Sequence, residues 1–209
     1  MRGAGAKAHT NKGSFQAADA VRLLALPSPT KGEGFTPHLA LRHGTRAEHD
    51  RVDLLFSHVD LTKPGGYARF LRAQARAYLP VEDALDAASI TDLVPDWPAR
   101  RRADALRADL AALALPLPAP LPAPVLPTPA AALGAWYVLE GSRLGGALLA
   151  RGVAPGLPRA FLTAPGRKWA KSMELLNNHL YDGAELKRAL GAARAVFVLF
   201  ERAALEFVE

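Results

Sequence analysis

The chain has 209 residues, half of them apolar and 22% charged, enough to build the core of one domain and to exclude disorder as the state of the whole; with no cysteine, it also excludes disulfides, thiolate metal clusters and a cysteine nucleophile. Its 26 Lys and Arg against 20 Asp and Glu give a net charge of +6, a sign that suits nucleic acid, a membrane surface, an acidic protein or a small molecule bearing carboxylates. No run approaches the length of a membrane span, and polar residues interrupt the first thirty positions where a secretory segment needs an apolar core, so a soluble cytoplasmic protein is expected.

Residues 1–35 join a Gly/Ala/Lys-rich start to a short apolar piece and a breaker-rich run, which reads as a flexible or loosely docked tail before a helical domain over 36–209. Thr36-Pro37 supplies an N-cap and a proline at the first helical position, predicting a helix from 37 to about 58. A second helix begins near Pro64 and carries Tyr67, Phe70, Leu71 and Tyr78; Pro80 should kink or restart it. Over 98–113, Ala103, Leu106, Leu110 and Leu113 mark an amphipathic helix. Its entrance, Arg100 to Arg102, reads as a solvated face, since neither a recognition helix nor stacking aromatics accompany it as a phosphate site would require. Residues 116–129 hold seven prolines, which predicts an extended crossover, either an apolar connector or a ligand for a proline-recognising domain. Thr128-Pro129 repeats the cap signal and opens a helix over 130–151, and helices over 164–180 and 185–207 follow. Apolar residues recur at three or four and nowhere alternate at two, so the fold class is all-α, a single-domain bundle of six or seven helices.

Two helices depart from a plain bundle pattern. Gly134, Gly141, Gly145 and Gly152 fall in one narrow sector of the helix over 130–151, although an interior glycine costs about 1 kcal/mol relative to alanine. Such a stripe admits close helix packing, the approach of a flat ligand, or a bend. In the first helix His38 and His49 lie about 16 Å apart along the axis and His43 points elsewhere, so the three cannot chelate one metal. Arg42, Thr45, Arg46, His49 and Asp53 share a broad face, where a neutral imidazole can bind iron while a carboxylate orients its other nitrogen; a surface or core histidine is the alternative.

The segment Leu41-Arg42-His43-Gly44-Thr45-Arg46-Ala47-Glu48-His49 resembles the first long helix of the haem oxygenase family, especially bacterial members associated with bacteriophytochromes, whose Thr-x-x-x-His segment carries the proximal haem ligand. Trp136-Tyr137-Val138-Leu139-Glu140-Gly141-Ser142-Arg143-Leu144-Gly145-Gly146 resembles the family's glycine-rich distal helix, and the resemblance runs from about residue 37 to the C-terminus. It implies the haem-oxygenase-like bundle, His49 as iron ligand with Asp53 behind it, Arg42 and Arg46 at the haem propionates, and Gly141, Ser142, Gly145 and Gly146 along the distal side. Among these, Ser142, Gly141 and Gly145 take the catalytic positions. Two departures stand out: Ser142 replaces an aspartate that organises distal water in many members, and Glu174 stands roughly where an arginine is common.

The activity implied is oxidative cleavage of haem to biliverdin, carbon monoxide and ferrous iron. Haem b serves as substrate and cofactor together with O2, and electrons come from an external donor such as a ferredoxin or a reductase, since no flavin or nicotinamide fingerprint is present. A bacteriophytochrome is the implied acceptor of biliverdin, and neither nucleic acid nor a membrane is an expected partner. The alternative is a non-enzymatic haem-binding or haem-delivery protein.

Overall fold

The computed structural model describes residues 36–164 and 169–208, so the expected tail over 1–35 lies outside the described residues. Among them every regular element is helical. The first expected helix forms as two, α1 (Pro37–Gly44) and α2 (Arg46–Ser57), with Thr45 between them at φ −110° and ψ 5°. The break has a local cause and a distant one. The Thr45 hydroxyl donates back to the Leu41 carbonyl at 2.8 Å, an arrangement that bends helices. Arg194 Nε donates to the Gly44 carbonyl at 2.8 Å, drawing it out of the helical ladder.

Helix α3 (Pro64–Ala87) continues through Pro80 as one element, where a kink or restart was expected. Proline has no N–H to offer the carbonyl four residues earlier, that of Arg76. The Leu121 amide takes that place at 3.0 Å, and Leu121 is buried, so the proline-rich crossover is tied to the helix at the position Pro80 leaves open. After a short 3-10 turn, Ile90–Asp92, come α4 (Trp97–Arg100) and α5 (Ala103–Ala112). The single helix expected over 98–113 is thus divided. Both oxygens of Glu82, on α3, accept the amides of Arg102 and Ala103, at 2.6 and 3.0 Å, and cap α5 from outside its own sequence. The expectation of a solvated arginine entrance is corrected here: Arg100 is 5% exposed and Arg102 1%.

Helix α6 (Pro129–Leu149) begins as the cap signal predicts, with the Thr128 hydroxyl accepting the Ala131 amide at 3.2 Å. A short α7 (Ala160–Thr163) precedes the helix expected over 164–180, which forms as α8 (Trp169–His179). The α7 amides of Ala160 and Phe161 are held by the Asp109 carboxylate at 3.0 and 2.9 Å. The last helix, α9 (Gly183–Val208), packs along α6, α3 and α2 and centres the bundle. Where α9 crosses α6, a Cβ on Gly134 would lie 2.0 Å from the Ala189 carbonyl oxygen, so glycine there permits contact between two backbones.

Candidate functional site

The candidate site is built on α2 and α6. Tyr137, on α6, has Thr45 and the charge of Arg42 close enough to act on its phenol. Burial raises the Tyr137 pKa, against the pull of these two neighbours. One turn beyond Thr45 stands His49, and one turn beyond Tyr137 stands Gly141.

His49 Nδ1 lies 3.0 Å from Asp53 Oδ2, four residues on. Its imidazole is packed edge-on against Phe197 of α9, with ring centroids 5.6 Å apart. The hydrogen bond to Asp53 raises the His49 pKa, burial opposes it, and the Asp53 and Asp50 charges add to the rise. With Nδ1 engaged by a carboxylate, Nε2 is the nitrogen left for an axial bond. Arg46 extends into solvent and pairs with Asp50 at 3.7 Å. His38 is committed elsewhere: its ring and its amide both meet the Asn177 side chain of α8. Among the described residues no group of three His, Cys, Asp or Glu side chains gathers to hold a bare metal ion.

On α6, the glycine stripe separates into two uses. A Cβ on Gly141 would meet nothing nearer than Trp169 Cη2 at 4.0 Å, whereas one on Gly146 would lie 3.3 Å from the Leu162 carbonyl oxygen. Gly141 therefore leaves room for a methyl beside Tyr137 and Trp169, whose rings are 6.2 Å apart, while at Gly146 the protein backbone comes close. Gly145 is buried in the same helix. These features fit an iron porphyrin: one imidazole nitrogen left for iron, a helix surface stripped to backbone for a flat ring, and the cations Arg42 and Arg46 on the histidine side for carboxylates.

Behind the glycine face lies a buried polar layer. Arg100 bridges Asp96 at 3.0 Å and Glu140 at 2.9 Å and reaches the Ser172 hydroxyl at 3.3 Å. Arg143 lies 3.5 Å from the same Glu140 and donates to the carbonyls of Arg100 and Ala164. Ser142 donates to the Leu139 carbonyl at 2.7 Å and accepts from Arg102 at 2.6 Å. Its one proton is spent within the protein, so toward any further partner it has only acceptor capacity. Glu174, the other departure from the family pattern, is exposed on α8.

Sequence reasoning missed Tyr137, Trp169, Glu140 and Arg102 as parts of this assembly. Tyr137 and Glu140 stand inside the glycine motif and were legible as its polar members. Trp169 and Arg102 come from distant segments, and only the fold brings them here.

The chain matches no established family model. It is 34% identical over 146 residues to a haem oxygenase of Xanthomonas campestris, a match that covers 64% of this chain and 86% of the relative. In fold it is similar to the NO- and CO-bound haem oxygenase of Neisseria meningitidis, with a TM-score of 0.71 at 24% identity, covering 84% of this chain and 93% of the other. The haem oxygenase of Leptospira interrogans superposes with a TM-score of 0.66 at 20% identity, over 82% of this chain and 100% of that one. No helix among the described residues is long and apolar enough to cross a membrane. The extent and identity of the Xanthomonas match, on the same all-α bundle, show that the chain belongs to the haem oxygenase family.

Proposed function

We propose that the protein opens haem oxidatively to biliverdin, carbon monoxide and ferrous iron, with O2 as oxidant and a separate protein as electron donor. The observation that carries this reading is the His49–Asp53 pair, which leaves Nε2 for iron. Haem, when bound, supplies both the oxygen-activating iron and the ring that is cleaved. Asp53 holds the His49 tautomer and orientation. Arg42 and Arg46 offer positive charge to the propionates, and Gly141 keeps the distal helix surface bare so that the ring can approach the backbone. Ser142 accepts a hydrogen bond from water on that side, which places the water without supplying its proton. Transfer of product to a bacteriophytochrome belongs to this proposal and rests on the likeness of the glycine motif to members with that association.

Titration with ferric haem should produce a Soret band with an imidazole-ligated spectrum that is lost in His49→Ala. Under air and a reductant, that band should give way to biliverdin absorption with release of CO. A stable complex that survives reductant and air unchanged would make the protein a haem carrier.

A further inference from the structure

Arg102 is buried at 1% exposure, yet among the described residues its guanidinium meets no carboxylate at ion-pair distance. Its Nε donates to the Tyr78 hydroxyl at 2.9 Å, and its Nη2 donates both to the Leu139 carbonyl at 2.9 Å and to Ser142 Oγ at 2.6 Å. The guanidinium carbon lies over the rings of Tyr78 and Phe161, 4.7 and 4.8 Å from their centroids. Glu82 reaches Arg102 at its backbone amide, while the acceptors met by the guanidinium itself are all neutral. A buried cation satisfied by neutral acceptors is costly to keep. All three acceptors lie on α3 or α6, and the two on α6 flank Glu140 and Gly141.

We propose that Arg102 is a positioning residue for haem chemistry, acting through Ser142: its planar fork gathers the Leu139 carbonyl and the Ser142 hydroxyl, and so sets which polar atoms the glycine-rich helix shows to the distal side. This rests on the haem reading above. The hydroxyl's proton lies on Leu139 and one lone pair is taken by Arg102, so the serine faces the distal side as a fixed acceptor. Without the fork, the hydroxyl is free to rotate and no longer holds, as an acceptor, the water whose other proton an anion on the distal side would accept, so azide loses that partner. A lysine keeps the charge but cannot span three acceptors.

Two measurements on Arg102→Met and Arg102→Lys test this. In the haem-free protein, amide exchange over 136–148 should rise about fivefold or more in both variants, the worth of one hydrogen bond of about 1 kcal/mol, while α9 keeps its protection. In the ferric haem complex, both variants should bind azide about fivefold more weakly than the parent. In a Ser142→Ala background, the Arg102 substitutions should change azide affinity no further. Parent-like azide affinity in Arg102→Lys would overturn the proposal, since charge alone would then suffice. An undiminished effect in the Ser142→Ala background would overturn it too, since Arg102 would not act through the serine. Should Arg102→Met fail to fold, Tyr78→Phe removes one arm of the fork and leaves the charge; it should weaken azide binding in the same direction, and parent-like binding would count against the fork. If the parent binds no haem, the proposed function fails, and the exchange measurement still tests the hold of Arg102 on α6.

Discussion

Nδ1 of His49 lies 3.0 Å from a carboxylate oxygen of Asp53, one turn further along α2. The contact raises the His49 pKa against the effect of burial, with Asp50 adding to the rise. A group whose pKa is raised on folding contributes stability that is complete below the unfolded imidazole value near 6.5 and is lost as pH rises through the folded value. NMR titration of the haem-free protein should therefore find His49 titrating above an ordinary histidine. Asp53→Asn should bring it down, and an unmoved His49 titration in that variant would assign the rise to another group.

Gly141→Ala should separate stability from binding. The added methyl meets only Trp169, at 4.0 Å, so the helix gains about 1 kcal/mol of propensity and the melting temperature should rise. The same methyl covers the bare surface offered to haem, and ferric haem affinity should fall. Thermal melts and a haem titration of one preparation check both halves.

Gly134→Ala should do the opposite. There the new Cβ would sit 2.0 Å from the Ala189 carbonyl oxygen, and backbone cannot rotate aside as a side chain can. Forcing α6 from α9 should cost at least the ~1–3 kcal/mol typical of overpacking, more than the propensity gained. Chemical denaturation should show the loss in the haem-free protein.

Glu140 carries two guanidiniums, Arg100 at 2.9 Å and Arg143 at 3.5 Å, and all three side chains are buried. Glu140→Gln removes the carboxylate that both guanidiniums share, and breaking a buried ion pair from one side costs about 3–5 kcal/mol. Denaturant midpoints should fall accordingly. A change below about 1 kcal/mol would mean that Asp96 alone suffices for Arg100.

The helical elements were legible because their signals are local. Thr128 caps α6 from the residue next to Pro129, and the apolar spacing of α9 is written in its own turns. The break at Arg101 and Arg102 was not, because the cap that ends the preceding turn and opens α5 is Glu82, on another helix. The same holds for the glycine stripe. Gly134 and Gly141 have equivalent places in the repeat, yet one faces the backbone of α9 and the other only the ring edge of Trp169 at 4.0 Å, a difference decided by what the fold puts opposite. For the site, the histidine face placed His49 and Asp53 together correctly as neighbours, since an i, i+4 pair on a helix must meet. The burial of Arg100 and Arg102 was invisible, since their acceptors lie up to seventy-two residues away in sequence.

The bond between Leu121 and Arg76 restricts how the proline-rich crossover can lie. Leu121 stands between Pro120 and Pro122, neither of which has an amide proton. A slip of the crossover by one residue in either direction would therefore bring a proline nitrogen to the carbonyl that Pro80 leaves without its helical partner. A slip by two would restore a donor from Ala119 or Ala123, but with a methyl in the buried place that Leu121 fills. A displacement by one fails on hydrogen bonding and by two on volume, so a segment with no regular ladder of its own is held against short slips by the alternation of its residues.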